Sequence, residues 1–106
     1  MSVRMLELTP PLFTALRSIK GENLRQKLAR LLASQLRRNL EACEREALDL
    51  EIKYGLEYKE FQARLGAGEL GDEFAYELER DAMRWSDLRV EKRHWLGLLR
   101  PVKKLI

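Results

Sequence analysis

Few residues in this chain could do chemistry on a substrate. The single histidine, His94, stands three residues after Glu91, and Glu-x-x-His is the spacing used by di-metal carboxylate bundles. Such a site needs two copies of the motif and two further inward glutamates. Here there is one copy, and Lys92 and Arg93 lie where they would repel a cation. The expectation is an exposed helical histidine and no metal. The single cysteine, Cys43, falls on an apolar stripe, where a thiol behaves as a small hydrophobe. Nucleophilic catalysis would need Ser or Cys with a base and an orienting group, and one His and one Cys offer little to build it from. Glu77, Glu79 and Asp81 alternate at i, i+2, which spreads them over helix faces, whereas paired-carboxylate catalysis aims two groups at one point. Gly66-Ala67-Gly68 follows a helix and has no Lys-Ser/Thr behind it, so it is no phosphate cradle. The chain therefore reads as a non-enzyme, with no catalytic residue and no cofactor.

The elements that carry these residues are helical by composition. The 106 residues suffice for one domain. With 35% charged and 45% hydrophobic residues and little Gly or Pro, the chain has the make-up of long helices or coiled coils. No run approaches the ~20 apolar residues of a membrane span. Residues 1–8 carry charges where a secretory signal would be apolar. The lone cysteine suits a reducing compartment, so a prokaryotic-type cytoplasm is expected. Charge is arranged in blocks. Residues 1–40 hold eight basic and two acidic side chains, residues 41–91 seven and fifteen, and residues 92–106 five and none. Opposed blocks can pair along antiparallel helices or between subunits.

Pro11 opens a short helix predicted over 11–20, with Leu12, Phe13, Leu16 and Ile19 at helical spacing and Thr9 as a cap. A second helix spans 22–54, without Pro or Gly. Its stripe runs Leu24, Leu28, Leu32, Leu36, Leu40, then Cys43, Ala47, Leu50, Tyr54. Gly55 stops it as a left-handed cap. A short helix over 57–66 carries Tyr58, Phe61 and Leu65. Residues 66–72 form a turn, and Asp72 caps a last helix over 73–99, ended by Pro101. On that helix Phe74, Leu78, Trp85, Leu88, Trp95 and Leu99 fall close to a heptad. The fold class is all-α: a long helix, a short helix and a long antiparallel return helix, a hairpin whose thin core predicts a dimeric helical bundle.

Two binding surfaces are candidates. Phe74, Leu78, Trp85 and Trp95, flanked by Glu77 and Asp81, could anchor a protein interface, the tryptophans serving equally well as internal core. Lys27, Arg30, Arg37 and Arg38, with Ser34, share one side of the long helix and could follow a nucleic-acid backbone. No helix-turn-helix, ribbon or zinc-finger pattern accompanies them, and no aromatics are interleaved for base stacking.

The run Lys53-Tyr54-Gly55 with Glu60-Phe61, then Leu70-Gly71-Asp72, then Tyr76-Glu77, Glu79, Asp81 and Trp85, resembles small helical antitoxin-like proteins of archaea, cyanobacteria and thermophilic bacteria, over roughly residues 45–100. The resemblance implies neutralisation of a partner toxin, encoded by a neighbouring gene, through helices laid over it. In that case Phe74, Leu78 and Trp85 with their acids would dock on a basic groove. The alternative is a nucleic-acid-binding regulator using the basic face of residues 17–38.

Overall fold

The computed structural model describes residues 8–71 and 75–106. The readings placed on Asp72, Glu73 and Phe74, a cap, a first helical turn and a partner anchor, lie outside the described residues. Four helices follow in order: α1, Pro10–Arg17; α2, Leu24–Tyr54; α3, Tyr58–Gly66; and α4, Ala75–Lys103. The chain is the all-α helical hairpin its periodicity predicts, with α2 packed against α4.

The boundaries follow local chemistry. α1 stops at Arg17, short of the predicted Lys20, and the Ser18 hydroxyl donates to the Ala15 carbonyl at 2.6 Å. α2 begins two residues later than expected because Asn23 is the cap: its side chain accepts from the Gln26 N–H at 2.9 Å, and the Gln26 side chain accepts from the Glu22 N–H. Two of the orphan donors at the helix start are thereby satisfied, much as in a capping box. Gly55 ends α2 at φ +65°, a conformation that costs a residue with a Cβ roughly 1 to 2 kcal/mol. Pro101 does not end α4, as the sequence suggested, and the helix continues to Lys103. A proline this close to a terminus removes only one hydrogen bond, in the last turn, and the rest of the ladder is untouched.

The seam between α2 and α4 corrects the leucine stripe. Cys43 meets Glu91, and Lys53 meets Asp81, so ten residues forward on α2 correspond to ten back on α4. Going backward from Tyr54, the covered positions are Leu50, Ala47, Cys43, Leu40, Leu36, Ala33 and Ala29. That is an alternation of three and four, a heptad of mean period 3.5. The run Leu24, Leu28, Leu32, Leu36 steps by four and rotates away from such a seam by about 40° per step. Leu32 is accordingly 53% exposed, while Ala33 is 0% and Ala29 2% exposed. On α2, alanines hold the seam near the open end, and aromatic rings crowd it where the hairpin closes.

Candidate functional site

At the closed end, α3 folds against the hairpin and builds an aromatic cluster around Trp85. Its ring centroid lies 4.8 Å from Phe61, 5.5 Å from Tyr58 and 6.5 Å from Tyr54. Phe61, Leu88, Leu78, Leu50 and Cys43 complete the buried core. Two of the sequence's partner anchors, Leu78 and Trp85, are therefore used within the chain, and Trp95 is half-buried against the same core.

Asp81 is the one buried charged residue among those described. Its carboxylate accepts from Lys53 Nζ and from the Tyr54 hydroxyl, both at 2.6 Å. Burial pushes its carboxyl up, but these two donors outweigh burial and hold it below the ordinary aspartate value. Tyr54 responds the other way: burial and the adjacent carboxylate push its hydroxyl up to about 12. Lys53 also pairs with Glu77. One layer further along the hairpin, Arg84 is clamped between Glu46, with Nη2 to Oε1 at 2.8 Å, and Glu91 at 3.1 Å. Its hydrogen bonds hold Glu46 below the usual glutamate range. This flank is a ladder of ion pairs, and Glu77 and Asp81 belong to it as structural partners of the same chain.

Glu91 contacts both Cys43 and Arg84, and His94 stands apart from them. Glu91 serves Arg84 and accepts from the Cys43 thiol at 3.5 Å. Burial, reinforced by that carboxylate, pushes the thiol up, which keeps it protonated and unreactive. His94 is exposed, its ring 4.7 Å from that of Trp95. Among the described residues no three His, Cys, Asp or Glu side chains converge as metal ligands, and no helix is long and apolar enough to cross a membrane.

The opposite flank carries a shallow cleft of about 720 Å³ floored by Cys43, Ala47, Trp85 and Leu88 and rimmed by Tyr58, over which Arg89 stacks at 4.4 Å. Its rim alternates Glu44, Glu51 and Glu57 with Arg45, Lys59 and Lys92. The three acids and these three bases offset one another in formal charge.

The open half of the hairpin is different in kind. The antiparallel pairing sets the basic segment 24–40 beside the basic segment 92–103, so like lies beside like and the charge blocks do not neutralise each other within the chain. Leu24–Leu40 holds Arg25, Lys27, Arg30, Arg37 and Arg38 and no acid, and Lys92–Lys103 holds Lys92, Arg93, Arg100 and Lys103 and no acid. All five ion pairs among the described residues involve residues of 46–91, toward the closed end.

The two flanks of this half are unequal. Stepping by sevens from the ion-pair residues Glu46 and Glu91 leads to Asn39 and Leu32 on α2, and to Leu98 and Leu105 on and beyond α4. These leucines are exposed and the flank is nearly uncharged. Stepping by sevens from the cleft residues Glu44 and Arg89 leads instead to Arg37 and Arg30, and to Leu96 and Lys103, with Arg93 and Arg100 on adjoining turns. Of the nucleic-acid candidates, Arg30 and Arg37 thus stand on the cleft flank. Lys27 donates to the Leu16 carbonyl of α1 at 3.0 Å, and Arg38 lies on the outer surface of α2. Sequence reading missed Arg93, Arg100 and Lys103 because only the register brings them beside Arg30 and Arg37. No protein-family model matches the chain, and no curated protein or solved structure matches it either.

Proposed function

We propose that the chain is a non-enzymatic interaction protein, antitoxin-like, that self-associates and neutralises a partner protein by laying helices over it. The observation that carries this reading is surplus surface. The chain exposes 8679 Å², against about 6200 Å² for a compact monomer of its mass. Its radius of gyration is 20.3 Å, against about 13 Å for a compact domain of this length. Thirteen large hydrophobic side chains are exposed among the described residues. A helical hairpin with that much uncovered apolar surface gains by burying it on another helix pair.

The docking surface is the nearly uncharged flank of the open half, around Leu32, Leu98 and Leu105, and not the buried Leu78, Trp85 and Asp81. An uncharged apolar strip on a hairpin is self-complementary under a two-fold axis, so a second copy fits it and closes a four-helix arrangement. Light scattering is expected to give a dimer of the pure chain and a heavier species with the product of the neighbouring gene. The double substitution Leu32→Glu with Leu98→Glu should weaken self-association at least tenfold while leaving the helical circular dichroism unchanged, since both side chains are exposed. A dimer that survives the double substitution, or a chain that is monomeric at all concentrations, overturns the choice of surface.

A second reading, binding to nucleic acid, is favoured by one observation: Arg30 and Arg37 share a flank with Arg93, Arg100 and Lys103.

A further inference from the structure

We infer that the cleft-side flank of the hairpin's open half is a two-row binding site for the phosphodiester backbone of a nucleic-acid duplex, with Arg30 and Arg37 of α2 forming one row and Arg93, Arg100 and Lys103 of α4 the other. The inference rests on the nucleic-acid reading and names the site that the basic residues of α2 alone do not make.

The geometry comes from the register. Within each row the arginines are one heptad apart, about 10.5 Å along the helix, and the two rows stand on helices whose axes are about 8 to 10 Å apart. A nucleic-acid strand advances ~3.4 Å per phosphate along the duplex axis, so one heptad matches about three phosphates. The rows are separated by a distance comparable to the ~12 Å width of a major groove. Arginines in four of the five places suit this ligand, because a guanidinium fork binds two phosphate oxygens at once.

Three features of this flank select nucleic acid over other anionic partners. Segments 24–40 and 92–103 hold no acid, and Glu41, level with Arg93 in this register, bounds the flank, so a polyanion approaching beyond it meets basic side chains alone and releases condensed counterions. The exposed leucines Leu32, Leu98 and Leu105 lie on the opposite flank, whereas a membrane-surface helix combines its basic and apolar residues at one interface. The rows sit on two packed helices, which pre-orders them for a rigid, regularly charged ligand. Segment 24–40 holds no Phe, Tyr or Trp, and the one in 92–103, Trp95, is half-buried against the core, so the contacts are to backbone and not to bases, and binding is insensitive to sequence.

The test is a titration of a labelled DNA duplex of about two turns, followed by fluorescence anisotropy at several salt concentrations. With five phosphate contacts, the logarithm of the association constant should fall against the logarithm of salt with a slope of about −4.5. Arg93→Glu with Arg100→Glu, and separately Arg30→Glu with Arg37→Glu, should each weaken binding at least tenfold. Each pair should also flatten the slope by about two. Arg93→Lys with Arg100→Lys should retain most of the binding. Lys59→Glu with Arg80→Glu, at the closed end, should change it by less than about threefold. All six residues of the charge-reversal pairs are exposed, and circular dichroism verifies that each variant is folded. Loss from the α2 pair with none from the α4 pair overturns the two-row site. Displacement of the duplex by polyaspartate at equal charge concentration also overturns it, by showing that an acidic polypeptide fits as well. The self-association test reads the other flank, so either reading can fail alone.

Discussion

Replacing Trp85 by alanine should cost about 4 kcal/mol of folding stability, the range of a fully buried aromatic. The ring is 3% exposed and touches three other aromatic rings drawn from α2 and α3. It thus joins three of the four helices at one point, and its removal leaves Phe61, which is wholly buried, facing a cavity. Typical domains have only about 5 to 15 kcal/mol in total, and an elongated hairpin buries less apolar surface per residue than a compact fold. Urea denaturation followed by circular dichroism should therefore show a midpoint well below that of the parent, and a Trp85→Phe variant should fall between the two. An alanine variant with an unchanged midpoint would mean that the α3 cluster contributes nothing to the fold.

Asp81→Ala is the second large effect, about 2 to 3 kcal/mol, since it removes the acceptor of two hydrogen bonds, one of them from a charged lysine. The value is held below that of a buried ion pair because Lys53 remains 41% exposed and keeps access to water. The same cluster sets a pH dependence at both ends. The carboxyls of Asp81 and Glu46 are lower in the folded chain than in the unfolded one. Their contribution is present above the unfolded values near 4 and is lost as pH falls through the folded values. Tyr54 is raised to about 12. Its contribution is present below the unfolded value near 10 and is lost as pH rises toward 12. Stability should be flat between about pH 5 and 8 and fall on either side, the Cys43 thiol, which burial also pushes up, adding to the alkaline limb. In Asp81→Ala the acid limb should be shallower than in the parent. An identical acid limb in both chains would show that folding does not lower the Asp81 carboxyl.

Much of the fold is legible in the sequence because its signals are local. Gly55, Tyr58, Phe61 and Leu65 mark the end of α2 and the face of α3, and the second half of α2 has an unambiguous heptad. What is not legible is the open half. Ala29 and Ala33 carry the seam there, and alanine gives a weak hydrophobic signal beside Leu24, Leu28 and Leu32, which advance at the wrong period. Binding residues suffer more than fold. Leu78 and Trp85 have the type and spacing of interface anchors, yet the same type and spacing serve a core, and only α3 decides between the two. Arg93, Arg100 and Lys103 are separated from Arg30 and Arg37 by more than fifty residues, so their proximity depends on a pairing register that no local pattern encodes.

The placement of small residues and like charges at one end of the seam, and of aromatics and ion pairs at the other, gives the molecule a built-in order of assembly. The contacts nearest Gly55 close the shortest loops and gain the most burial, so the hairpin zips from its turn outward. The free ends of α2 and α4, where none of the ion pairs among the described residues lies, should join last and open first. A ligand that neutralises the charge there should lengthen the closed lifetime of these ends with little effect on the rest.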